Sequence, residues 1–277
     1  FGGLGHTIGP SRVGDRALSE QPVAVISAGA SGIGLAIAEA LHGQGYALYV
    51  LDIDGAAVDI FCQRFGQDSA TVCDVADPGQ VDAAFARFHA LHDRVDLLVN
   101  NAGIAGPQGA LEDLPVADWQ RTIDIDLNSL FYVSRHIIPL MKARRQGVIV
   151  NMSSNAGLSG CPQRSPYVAS KWASIGLAKT WAMELGSWNI RVNALCPGSV
   201  AGPRIEGVIA RDAASRGMDP ETIRSVYQRQ SSLRRFTDPG DIADLVCFLA
   251  GPSGKHISGQ AIAIDGHTES LTNWQDP

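Results

Sequence analysis

From Pro22 onward the chain alternates short apolar runs with longer amphipathic stretches: VAVIS, a helical stretch from about Gly32, ALYVLD, another from Gly55, ATVCDV, a third over residues 81–92, then DLLVNNAG. Apolar runs this continuous bury both faces, which calls for a parallel sheet with helices on either side. After a long helical stretch around residues 119–145 the alternation resumes with GVIVNMSS, a helix over 170–185, RVNALCPG, a helix near 241–249 and the strand AIAID. The fold class implied is α/β: one doubly wound parallel sheet of about seven strands.

Composition narrows the function. At 277 residues, one domain over 21–277 accounts for the pattern, and no apolar run reaches the length of a membrane span. The net charge of −6 and the absence of a basic stripe argue against nucleic acid as a partner. Five cysteines, Cys62, Cys73, Cys161, Cys196 and Cys247, form no Cys-x-x-Cys pair, so they read as reduced thiols and no metal site is expected. A cytoplasmic protein is the expectation. Residues 1–20 are rich in Gly, Ser and Arg without an apolar period and read as a flexible N-terminal arm or an expression remnant.

The first strand runs straight into Ser27-Ala28-Gly29-Ala30-Ser31-Gly32-Ile33-Gly34, followed at once by a helix. Glycines here let the main chain approach a pyrophosphate, and the helix start offers free N–H groups carrying partial positive charge. The second strand ends at Asp52, whose carboxylate can accept both hydroxyls of an adenosine ribose and would repel a 2′-phosphate. NAD is therefore the expected cofactor. The competing role for Asp52 is to cap the next helix, which Asp54 can equally do.

These motifs, followed in order by Cys73-Asp74-Val75, Asn100-Asn101-Ala102-Gly103, Ser154, Tyr167-Val-Ala-Ser-Lys171, Asn193, Pro197-Gly198 and Asp265-Gly266, resemble the short-chain dehydrogenase/reductase family over nearly all of residues 22–266. The resemblance implies a single Rossmann-type domain, usually a homotetramer, acting on small-molecule alcohols or ketones. Within it, Tyr167 is the acid/base, Lys171 supports it and holds the nicotinamide ribose, and Ser154 steadies the substrate oxygen. It also implies that Asp74 accepts from the adenine amine, that Val75 flanks the ring, and that Asn100 and Gly103 line the cleft. Ser27, Gly29, Ser31, Gly32, Ile33, Gly34, Asp52, Ile53, Asn101, Ala102, Pro197, Gly198 and Val200 complete the expected cofactor contacts. Asp74 as a strand-end cap and Asn100-Asn101 as a turn are the plainer alternatives. Chemically, residues i and i+4 share a helix face, so the Lys171 ammonium can lie beneath Tyr167 and favour the phenolate that takes an alcohol proton.

The chain departs from the family at three places. Ala28 stands where the first glycine of the fingerprint is usual, which suggests a reshaped turn with Gly29 supplying the close approach. Gly202 replaces a threonine that often contacts the nicotinamide amide. Asp126, in DWQRTIDIDLNSL, stands where an active-site Asn is usual. Its carboxylate either joins the catalytic group beside Lys171 or turns to local main-chain groups.

Residues 203–236 interrupt the pattern with a polar, Arg-rich helical insertion, read as a substrate lid. With Ile104–Pro107, Asn155 and residues 160–164 it should line the pocket. An arginine there can pair with a substrate anion, although acidic neighbours make a solvated helix face the simpler reading. The function expected is hydride transfer between NAD(H) and a small secondary alcohol of polyol, sugar or hydroxy-acid type. The alternatives are an NADPH-dependent ketoreductase and a catalytically silent dinucleotide-binding regulator.

Overall fold

A computed structural model describes residues 21–271; the arm expected over 1–20 lies outside the described residues. Strands β1 (Val23–Ser27), β2 (Ala47–Asp52), β3 (Ala70–Val72), β4 (Leu97–Asn100), β5 (Gly147–Met152), β6 (Ile190–Pro197) and β7 (Ala261–Ile264) form one sheet in the order β3-β2-β1-β4-β5-β6-β7. Every neighbouring pair is parallel, which confirms the expected sheet. Helices α1 (Gly32–Gly43), α2 (Gly55–Phe65), α3 (Pro78–Leu91), α4 (Val116–Ile123), α5 (Ser129–Arg144), α6 (Ser165–Leu185), α7 (Pro203–Arg216), α8 (Pro220–Arg229) and α9 (Pro239–Ala250) connect them.

The period of two in each strand builds two cores. Val23 and Val25 face Phe85 and Phe88 of α3 and Ile137 and Met141 of α5, while Ala24 and Ile26 face Ile37 and Leu41 of α1 and Val246 and Leu249 of α9. Each of these side chains larger than alanine, withdrawn from water, stabilises the fold by about 1.5–3 kcal/mol. Asp54 caps α2, Asp77 caps α3 and Asp219 caps α8 by accepting two main-chain N–H groups apiece. Asp52 is thus not the cap of the following helix.

Strand order reverses between β1 and β4, so the chain leaves their carboxyl ends toward opposite faces and opens a crevice there. Ser27 Oγ accepts the N–H groups of Asn101 (2.9 Å) and Ala102 (3.0 Å), and the Asn101 amide donates to the carbonyls of Ser27 and Ala28. These bonds lace the two strand ends together at the floor of the crevice.

Two expectations change. The helix bearing Tyr167 and Lys171 begins at Ser165, with Pro166 in its first turn where a missing N–H costs nothing. The insertion is not polar throughout: apart from Asp212, the buried face of α7 is apolar. Inside, Ile205, Val208, Ile209 and Ala213 of α7 and Ile223 of α8 pack with Met218, Tyr227 and Phe236 into a third core, so the insertion expected to act as a lid is a packed helical pair.

The phosphate-type turn also differs from expectation. Ala28 keeps the left-handed conformation itself, at φ 50, and donates its N–H to Leu51 O. Gly29 is held to a hydrogen by the sheet below it: a Cβ there would lie 2.8 Å from Val50 Cγ2, so its smallness seats the turn on the sheet. A left-handed alanine costs about 1–2 kcal/mol, while glycine costs about 0.4–1 kcal/mol more chain entropy on folding. Ala28→Gly is therefore expected to stabilise the protein by about 0.5 kcal/mol, raising Tm by about 1–2 °C in a thermal melt; a lower Tm would show that the alanine is unstrained.

Candidate active site

The crevice wall and its open face use different residues. Ser27, Gly34 and Ala102 are buried, whereas Ser31 and Gly32 are exposed and Ile33 half-buried. A Cβ on Gly34 would fall 2.1 Å from Ala28 O, so this glycine serves close packing of α1 under the turn. Gly32 faces open space with φ 53. Ser31 makes no side-chain bond to the start of α1, unlike the aspartates capping α2 and α3. The first-turn N–H groups of α1 thus keep their capacity for an anion, and the crevice fits a dinucleotide pyrophosphate.

At the end of β2, Asp52 is buried and accepts Ala30 N–H (3.0 Å) through Oδ2 and Asp54 N–H (3.1 Å) through Oδ1. Each oxygen retains room for one further donor. Ile53 stands exposed beside it. Asp74 accepts from Ala76 N through Oδ1 and from Arg121 through Oδ2 (2.9 Å), a partner the sequence did not suggest. Val75 is buried within the core on the α3 and α5 side. Asn100 does not line the cleft with its side chain: the amide is buried and donates to Ser134 Oγ and Asn151 Oδ1 across the sheet. Pro197 is buried at the end of β6, Gly198 packs against Asp265, and Val200 bridges Thr237.

The catalytic candidates converge at the carboxyl ends of β4 and β5. Lys171 is 4% exposed, its Nζ donates to Met152 O (3.1 Å) and lies 5.5 Å from the centre of the Tyr167 ring. Helical spacing thus does bring the ammonium and the phenol together. Gly103 abuts the same ammonium, since a Cβ there would sit 3.1 Å from it.

Asp126 lies in a π-helical segment, Asp124–Asn128, between α4 and α5. Such bulges turn a side chain out of helical register and recur at functional sites. Its carboxylate stands between Lys171 and a main-chain group of a distant segment. Oδ1 accepts the Ile104 N–H (2.7 Å), and Oδ2 stands 3.6 Å from Lys171 Nζ, fully buried and without a hydrogen-bond partner among the described residues.

Ser154 begins a single turn after β5. Its hydroxyl donates to Asn155 Oδ1 (3.0 Å) and accepts from Ala156 N. The Asn155 amide donates to Thr268 Oγ1 (2.9 Å), and Thr268 donates to Asp265 Oδ2 (2.6 Å). This chain ties the serine to the segment after β7. The only trace of it in the sequence was the Asp265-Gly266 pair.

A cavity of about 400 Å³ adjoins the site, lined by Ile104–Pro107 as expected and by Arg211 of the lid, but also by Asp118, Arg121 and Thr122 of α4. Burial raises the Cys161 thiol, pushes Cys73 up to about 12 and pushes Cys196 up to about 11, so none of these thiols offers a thiolate near neutrality. Among the described residues no cluster of ligands for a metal occurs and no helix is long and apolar enough to cross a membrane.

Residues 27–267 match the family model described as enoyl-(acyl carrier protein) reductase. A trans-4-hydroxycyclohexanecarboxylate dehydrogenase of Sinomonas cyclohexanicum is 38% identical over 270 residues, which cover 92% of this chain and 95% of that protein. The structure superposes on NAD+-bound xylitol dehydrogenase with TM-score 0.82 at 28% identity, covering 88% of this chain and 97% of that one. It also superposes on actinorhodin polyketide ketoreductase with NADPH, with TM-score 0.84 at 29% identity over 90% and 97% of the chains. The chain belongs to the short-chain dehydrogenase/reductase family. It is an alcohol or carbonyl oxidoreductase of small molecules, and its family binds a nicotinamide dinucleotide.

The hydrogen-bond chain from Ser154 generates a test. Thr268→Val removes one bond of the type worth about 0.5–1.5 kcal/mol and frees Asn155 to turn. Turnover should fall about three- to tenfold with NADH binding unchanged in a fluorescence titration; undiminished kcat would mean that the serine needs no such support.

Proposed function

We propose that the chain interconverts a small secondary alcohol, of polyol, sugar or hydroxy-acid type, with its carbonyl, using NAD(H), as a cytoplasmic homotetramer. The observation carrying the reaction is the buried Lys171 ammonium beneath Tyr167. Exposed Phe131 on α5 and Trp172 and Met183 on α6 support assembly through that face.

NAD supplies an acceptor for the hydride that leaves the carbinol carbon. The protein's part is the proton. Ser154 turns its hydroxyl to the substrate oxygen, and Tyr167 takes the alcohol proton as phenolate or returns it in reduction. Lys171 stabilises the phenolate and the ribose it reaches. Ser31, Gly32 and the start of α1 hold the pyrophosphate, Asp52 the adenosine ribose, Asp74 the adenine, and Gly103 and Val200 the nicotinamide end. Ser27, Gly29, Gly34, Asn101 and Ala102 serve that site by shaping its wall.

For the choice between NAD and NADP, Asp52 supports NAD. A 2′-phosphate would bring negative charge against a carboxylate already turned into the turn by Ala30 N–H. No Lys or Arg stands in residues 27–34 or 52–57 to offset that repulsion. The ketoreductase reading with NADPH lacks this support.

Three outcomes are expected. With a panel of alcohols, kcat/KM for NAD should exceed that for NADP by about tenfold or more, which needs about 1.4 kcal/mol, and Asp52→Ala should narrow the ratio; equal use of NADP defeats the assignment. Tyr167→Phe should lower kcat by about a hundredfold or more while NADH still binds, and retention of several per cent of activity would transfer the proton role elsewhere. Asp126→Asn keeps an acceptor for Ile104 N–H but removes a negative charge near the lysine and tyrosine. Most activity should survive in kcat/KM, because the amide oxygen still accepts the Ile104 N–H. Loss of activity would give the carboxylate a direct part that the amide cannot replace.

A further inference from the structure

Several arginines of the insertion and its surroundings are matched to acids. Arg216 pairs with Asp212 at 2.8 Å, and Arg224 with Glu206 and Glu221. The Arg224 pairs are the acid-matched charges of an ordinary helix surface, whereas Arg216 is paired with a buried carboxylate. Arg164 and Arg204 differ. Neither has a carboxylate within ion-pair distance among the described residues, and each instead donates one Nη1 bond to a main-chain carbonyl of the same loop. Arg164 reaches Ala105 O at 3.1 Å and Arg204 reaches Gly103 O at 3.2 Å.

That loop is part of the catalytic centre. Gly103 abuts the Lys171 ammonium, and Ile104 donates to Asp126. Arg164 immediately precedes α6, the helix that carries Tyr167 and Lys171, and is half-buried there. Arg204 lies in the first turn of the lid helix α7. One guanidinium is thus supplied by the catalytic helix and one by the lid, on carbonyls two residues apart.

A guanidinium carries five N–H donors in a planar fork, and a neutral carbonyl satisfies only one of them. Nearby negative charge does not complete the set. Asp126 is engaged with Lys171 and Ile104, Asp74 with Arg121, and Asp118 stands on the cavity rim with Arg211.

We propose that Arg164 and Arg204 form a clamp for a carboxylate on the substrate, so that the alcohol oxidised at Tyr167 is a hydroxy acid. This rests on the oxidoreductase reading above and specifies its substrate class. The carboxylate takes no part in bond making; it accepts planar, paired N–H bonds from both arginines and fixes the carbinol carbon relative to Tyr167.

The test uses benzoate and benzamide, which match in shape and differ in charge, titrated calorimetrically into the full chain with and without saturating NADH. Benzoate is expected to bind about tenfold or more tightly than benzamide. The double variant Arg164→Gln/Arg204→Gln should erase that preference while the NADH dissociation constant and Tm stay put. Arg224→Gln, which removes an acid-matched guanidinium, should leave the preference intact. Equal binding of acid and amide by the wild type overturns the proposal, as does inorganic phosphate outcompeting benzoate. Loss of NADH affinity in the double variant, with benzoate preference kept, would also overturn it by assigning both arginines to the cofactor. Absence of NADH binding by the wild type would instead strike the oxidoreductase reading, and the titration without NADH then judges the clamp by itself.

Discussion

Pairing β4 against β1, instead of continuing outward from β3, is the constraint from which the site follows. In an all-parallel sheet every strand ends on the same edge, and a reversal of strand order sends adjoining connections to opposite faces. The gap this leaves would expose main-chain groups at two strand ends. Here Ser27 and Asn101 satisfy them from within, through four hydrogen bonds that span the β1 and β4 ends. The crevice is therefore rigid at its floor and open above, where the uncapped start of α1 and the carboxylate of Asp52 face the same gap.

The buried charges of the catalytic centre depend on that floor. An ammonium withdrawn from water is costly unless it is paired and hydrogen-bonded. Lys171 meets both conditions with Met152 O at the end of β5 and Asp126 in the π-helical segment. Asp126 meets them only in part: Oδ1 has Ile104 N–H, while Oδ2 has the field of the lysine but no hydrogen bond. A neutral amide would relieve the desolvation of the carboxylate but lose the attraction to the ammonium. The carboxylate thus ties the position of the 103–105 loop to the charge on the lysine.

The sheet and the juxtaposition of Tyr167 with Lys171 were legible in the sequence because both arise from local spacing. Continuous apolar runs need two covering faces, and an i, i+4 pair shares one side of a helix whatever surrounds it. Lid anatomy was less legible. Ile205, Val208, Ile209 and Ala213 follow a helical period, but the arginines and acids between them dominate a reading by composition. Least legible were bonds between distant segments, such as Ser154 through Asn155 and Thr268 to Asp265, or Arg121 to Asp74. Serine, asparagine and threonine satisfy so many local partners that no spacing marks one as a long-range tie. The same ambiguity led Asn100 to be placed in the cleft, when its register opposite Asn151 turns the amide into the interior.

Because the lid has its own core, its motion, where it occurs, is that of a unit about its ends and not a loosening of α7 and α8. Its entry is marked by Gly202 at φ 137, a conformation closed to other residues, directly before the helix that bears Arg204. Were the pair to hinge there, Arg204 would move with it and the bond to Gly103 O would break. One charged hydrogen bond to a neutral carbonyl is a weak latch against hydrated alternatives. A ligand anion bridging Arg204 to Arg164 would strengthen it, since both guanidiniums would then share a partner that water cannot replace at equal energy. Closure would be tied to the presence of the acid group, and the reacting carbon would meet Tyr167 only under a lid that the substrate itself holds down.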